Sequence, residues 1–108
     1  TAIYSRLGPL ERNRLSAEHL LQMADWLVKL DFADPALNVL QRLLATQTSA
    51  DVLARAHVRA GYIYLNFKKR LTTATQHFLE VLDLHPSQEV ERLAREGLQQ
   101  LHQQSLRH

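Results

Sequence analysis

Apolar positions recur along this chain at helical spacing. The clearest run lies near the C-terminus, where Val90, Leu93, Ala94, Leu98 and Leu101 form one stripe. Glu91, Arg92, Arg95, Glu96, Gln99 and Gln103 fall largely off it. Nowhere do Val, Ile and Thr keep up the alternation of a half-buried strand. The helix starts carry similar chemistry. Ser16 is placed to cap a helix running to about Leu30, with Glu18 in its first turn. Asp34-Pro35 reads as a cap and first position, opening a second helix to about Ala45. Ser49 with Asp51 opens a third, to about Asn66. Thr72 or Thr73 opens a fourth, which His85-Pro86 stops near Leu84. Ser87 caps a fifth, and Glu89 and Glu91 suit its positive end. Residues 1–15 carry Ile3, Tyr4, Leu7, Leu10 and Leu15 around a Gly8-Pro9 break, which predicts a short arm laid against the first helices.

Composition agrees with a helical domain. A chain of 108 residues with 45% hydrophobic and 22% charged side chains fits one ordered domain with a core. Glycine and proline are scarce, three of each. There is no cysteine, which excludes disulfides and thiolate zinc sites and leaves the compartment open. A net charge of +2 is far from the clustered basicity of a dedicated nucleic-acid binder. No apolar run approaches the ~20 residues that span a bilayer. Beginning at Thr1, the chain reads as a cut piece or processed product of unknown location, with the cytoplasm or the soluble part of a membrane-associated protein among the options.

The first four helices form two hairpins that echo each other. At offsets of 37 or 38 residues, Ala24 answers Gly61, Leu27 answers Tyr64, Ala36 answers Ala74, and Leu40 answers Phe78. Small residues let paired helices approach, and Leu40 or Phe78 fills the space beyond. This pattern resembles the tetratricopeptide repeat. Leu20, Met23, Ala24, Leu27, Ala36, Leu40, Leu43 and Thr48 match its positions in the first hairpin. His57, Ala60, Gly61, Tyr64, Ala74, Phe78, Val81 and Pro86 match in the second, with one extra residue near Lys68–Arg70. The resemblance implies an all-α helical-hairpin solenoid: an arm over 1–15, hairpins over 16–48 and 49–86, a capping helix over 87–104 and a tail over 105–108.

It also implies a binding scaffold whose inner wall is made of the first helix of each hairpin. Glu18, Leu21, Gln22, Asp25, Val28 and Lys29 would face that wall from one hairpin, and Arg55, Val58, Arg59, Tyr62, Leu65 and Asn66 from the other. Arg55, Arg59, Tyr62 and Asn66 would give polar recognition, with Gln22 beside them, while Leu21, Val28, Val58 and Leu65 give apolar contact. Arg55 and Arg59 match a basic pair that some members of the family use to grip carboxylates. Leu21 and Asp25 depart from the rest of that clamp, so the expectation is an acidic or amphipathic segment. The competing expectation is that the two arginines pair with Asp51 or Glu18. Trp26 stands where a small residue is usual; it packs under the arm against Ile3, Tyr4 or Leu7, or it anchors a partner or a second copy.

Other chemistries find little support. His19, His57, His77, His85, His102 and His108 form no metal-ligand spacing, although His57 and His77 could meet across the second hairpin. The isolated glycines make no phosphate loop, and no catalytic constellation stands out, so neither an enzyme nor a cofactor is expected. Lys68-Lys69-Arg70 beside Phe67 is the one basic cluster that could touch phosphates, which leaves nucleic acid a distant third. The expected function is protein–protein interaction, with a self-association module giving a homodimer as runner-up.

Overall fold

In a computed structural model, which describes residues 9–46 and 49–106, the chain is all-helical. Among the described residues five helices follow one another: α1 Pro9–Lys29, α2 Ala33–Thr46, α3 Ala50–Ile63, α4 Leu71–Asp83 and α5 Gln88–Leu106. A π-helical turn, Tyr64–Lys68, extends α3.

Helix α1 begins at Pro9, not at the expected Ser16. Proline is tolerated in a first helical turn, where its missing N–H has no helical partner, and Pro9 is the first described residue of α1. Residues 9–15 of the expected arm therefore belong to α1, and residues 1–8 lie outside the described residues. The far end closes without glycine. Asp31 adopts the left-handed conformation at φ 67°. Phe32 N–H then donates to Leu27 O at 2.7 Å and Asp31 N–H to Val28 O at 3.0 Å, a Schellman closure.

Asp34 sits inside the first turn of α2 instead of capping it. Ser49 does cap α3, accepting from the Val52 N–H at 3.5 Å, and Ser87 accepts likewise from Val90 at the start of α5. Helix α4 starts one residue before Thr72, with no side-chain cap. The extra residue of the second hairpin is absorbed inside the helix. A one-residue insertion in an α-helix is accommodated as a π turn, and Tyr64–Lys68 lies between the positions where the offset passes from 37 to 38.

Short links fold each helix back on its predecessor, and α3 also touches α1 and α5. Helices α1, α3 and α5 thus form one layer, with α2 and α4 behind. Two core clusters meet on α3. Val52, Ala56, Ala60 and Ile63 face the first cluster, with Leu21, Ala24, Ala36, Leu40 and Leu43. Ala54, Val58 and Leu65 face the second, with Ala74, Phe78, Val81, Val90, Ala94 and Leu101. A helix buried on two sides needs small residues for close approach, which accounts for the alanines of α3. Ala24, Ala36, Gly61 and Ala74 are all buried, as the repeat pattern predicts.

Candidate binding surface

The third face of α3 carries Asp51, Arg55, Val58, Arg59, Tyr62 and Asn66 at three- and four-residue steps. It forms the floor of a trench between α1 and α5. One end is a hollow of about 380 Å³ lined by Asp51, Arg55, Val58, Arg59, Ser87, Glu89, Val90 and Leu93. The other, of about 480 Å³, is lined chiefly by Val28, Lys29, Val58, Arg59, Tyr62, Asn66, Phe67 and Leu93. Val58, Arg59 and Leu93 belong to both. At 1.5 Å per residue, the stretch from Asp51 to Phe67 gives the trench a length of about 24 Å.

Its charges are largely satisfied from within. Arg55 makes a two-pronged ion pair with Glu18 on α1, with Nη2 to Oε2 at 2.9 Å, and its Nη1 lies 3.5 Å from Asp51. The Glu18 hydrogen bond, opposed by partial burial, holds the Arg55 guanidinium above its ordinary pKa. Arg59 pairs with Asp25 through Nε at 3.0 Å and Nη2 at 3.2 Å. The expected pairing of Arg55 with Glu18 and Asp51 is therefore what the structure contains. Both guanidiniums are thus engaged across the α1–α3 seam. The Tyr62 hydroxyl donates to Leu93 O of α5 at 2.8 Å. Its ring meets Phe78 edge-on at 5.1 Å, and burial raises its pKa.

Two of the expected contact residues do not face the trench. Leu21 is 1% exposed and Leu65 0%, both inside the core clusters, because α1 and α3 turn these positions toward the helices behind. Val58 is nearly buried but still floors both hollows. Val28 and Asn66 line the wider hollow, whereas Gln22 is exposed without lining either. Sequence reasoning missed Leu93 and Phe67. Leu93 was grouped with the α5 core stripe; its place at that stripe's edge was the available signal. Trp26 is 65% exposed, and its expected neighbours Ile3, Tyr4 and Leu7 lie outside the described residues.

The two histidines do meet. His57 and His77 share a hydrogen bond between their Nδ1 atoms at 2.9 Å, one ring donating to the other, and Tyr64 stacks on His77 at 5.5 Å. Burial, reinforced by His57, lowers the His77 pKa to about 4. Burial also lowers that of His57, against the opposing pull of Glu80. Among the described residues no cluster of three His, Asp or Glu side chains could hold a metal ion, and no helix is long and apolar enough to cross a membrane. Lys68 of the basic triplet pairs with Asp34. The chain matches no protein-family model, no curated protein and no solved structure.

Proposed function

We propose that this chain is a protein-interaction scaffold of tetratricopeptide type, two hairpins and a capping helix, that holds an apolar face of a partner segment in the α1–α3–α5 trench. The observation that carries this reading is the trench itself. Two adjoining hollows share Val58, Arg59 and Leu93, and the apolar groups of the wider one, half-buried Val28 and Tyr62 with exposed Phe67 and Leu93, have no covering element among the described residues. Apolar concavities with a few fixed polar groups are the common form of binding sites. A trench of about 24 Å suits an amphipathic helix of roughly four turns. With Arg55 and Arg59 neutralised by α1 carboxylates, specificity rests on the apolar floor, with Lys29 at one end and Glu89 at the other.

The experiment is a displayed library of 15- to 20-residue peptides selected on the wild-type chain. Leu93→Glu serves as counter-target because Leu93 lines both hollows and is 36% exposed, so the change spares the core. Enriched peptides are expected to lose at least tenfold in affinity for Leu93→Glu. Peptides that bind both forms equally, or a library that yields no enrichment, would remove the reading.

A further inference from the structure

Helix α1 has a second face that the trench does not use. Its inner side buries Ala17, Leu21 and Ala24. On the outer side His19, Met23, Trp26 and Leu30 recur at steps of four, three and four residues, the spacing of a helix–helix seam. Trp26 is 65% exposed, Leu30 57% and Met23 39%, and Phe32 just beyond adds a further 52% exposed ring. Half of the large exposed apolar side chains among the described residues thus fall within ten positions. Clusters of that kind mark interaction sites rather than ordinary surface.

We propose that this face pairs α1 with α1 of a second copy, antiparallel about a two-fold axis between Met23 and Trp26. Self-complementarity selects the occupant. In that register Met23 lies opposite the partner's Trp26 and His19 opposite the partner's Leu30, so a flexible thioether meets each indole. The flanking positions Gln22 and Lys29 then face each other across the axis, and no like charges meet. Lys29 Nζ rests over the Trp26 ring, 5.8 Å from its centroid. An isologous contact needs one patch that fits itself, and a 3-4 stripe with one large and one adaptable residue about its centre meets that need. The second copy also supplies what two hairpins lack, since helical arrays bury enough surface only with about three repeats. Helix α5 covers one end of the stack, and the two-fold contact covers the other. The stripes together bury on the order of 1,000 Å², at the lower limit of specific interfaces, so the dimer is a weak one.

Trp26 is the single tryptophan, so its emission reports this face alone. Sedimentation equilibrium and tryptophan fluorescence are to be run together from low to several hundred micromolar chain. The expected result is a mass that doubles with concentration, accompanied by a blue shift of the emission. Leu30→Glu is expected to keep the far-ultraviolet helical signal and the melting temperature at low concentration. It should weaken dimerisation at least tenfold and abolish the blue shift; Trp26→Glu should weaken it as much by mass. A monomer throughout the range overturns the proposal, and so does a dimer that both variants leave intact. A blue-shifted emission that is independent of concentration and lost when residues 1–8 are removed also overturns it, because the chain's own N-terminal segment then holds the face.

Discussion

The two hairpins solve one packing problem with different side chains. In the first, Leu40 is fully buried where α2 meets α1, beside the alanines Ala24 and Ala36. In the second, the equivalent residue is Phe78, equally buried, and its ring is met by glycine on both flanking helices. A Cβ at Gly61 would lie 2.8 Å from Phe78 Cε1 and Cζ; at Gly97 it would lie 2.6 Å from Cε1 and Cε2, and closer still to Cζ. Where the knob is a leucine, alanine suffices opposite it. Where it is a phenyl ring touching two helices, both must give up their side chain. Gly97 is thus a consequence of Phe78, although the two lie on different helices and nothing local to α5 calls for glycine.

The largest effect expected from this contrast is at Gly97. In an open helix Gly→Ala stabilises by about 1 kcal/mol through propensity alone. Here the ring cannot retreat from α5 without pressing on Gly61 and Tyr62, so overpacking should outweigh that gain and leave a net loss of about 2 kcal/mol. Gly61→Ala, with the milder overlap, should cost about 1 kcal/mol. Denaturant midpoints give both. The decisive variant is Gly97→Ala combined with Phe78→Leu, which makes the second joint resemble the first. The double change should be less harmful than the sum of its parts by about 1 kcal/mol or more. Strict additivity would mean that ring and glycine are not coupled.

A smaller effect separates the halves by pH. The second hairpin carries the His57–His77 pair between α3 and α4, and the first has no counterpart. Both imidazoles have folded pKa values below their ordinary 6.5, so the unfolded chain takes up protons that the folded pair refuses. The stability they contribute is whole above about pH 7 and is lost as the pH falls from 6.5 toward 4, where folded His77 also protonates. Allowing for solvent screening at this half-exposed site, the loss is about 1–2 kcal/mol. Glu80 works against it by favouring protonated His57. Denaturant midpoints at pH 7.5 and 5.0 should differ in the wild type and converge in His57→Gln/His77→Gln. Hydrogen exchange at pH 5.0 should quicken first in α4. Equal pH dependence in the double variant would remove the pair as its source.

These particulars show what a one-dimensional reading can and cannot reach. The helix pattern, the Ser49 and Ser87 caps, the buried small residues and the meeting of His57 with His77 were legible, because each depends on local spacing or on the repeat offset. The start of α1 was misplaced because Ser16 offers a good cap signal seven residues inside a helix that is already formed at Pro9. Leu21 and Leu65 were assigned to the wall by the register that the repeat resemblance implies, which does not say how far neighbouring helices wrap around each position. The Arg55–Glu18 pair stood among the expectations, but Asp25 as the partner of Arg59 needed the α1–α3 crossing, which brings together residues 37 and 34 positions apart. That crossing also decides whether the arginines are available to a partner.

The smallest effect lies at the seam between the halves, where Glu18–Arg55 and Asp25–Arg59 join α1 to α3. Both pairs are solvent-accessible, so each should contribute only about 0.5 kcal/mol, falling further with added salt. A double-mutant cycle on Asp25 and Arg59 isolates the term: Asp25→Asn and Arg59→Gln singly, then together, with a coupling of about 0.5 kcal/mol expected at low salt. The same cycle examines the trench. Asp25→Asn leaves Arg59 with only the Arg55 carbonyl, which its Nη1 already reaches at 3.2 Å, and so exposes a guanidinium on the trench floor. If the carboxylate is what keeps the surface neutral, Asp25→Asn should shift the peptides selected on this chain toward acidic sequences, and Arg59→Gln should not. An unchanged selection would mean that Arg59 is turned away from the bound segment, and that recognition is left to Tyr62, Phe67 and Leu93.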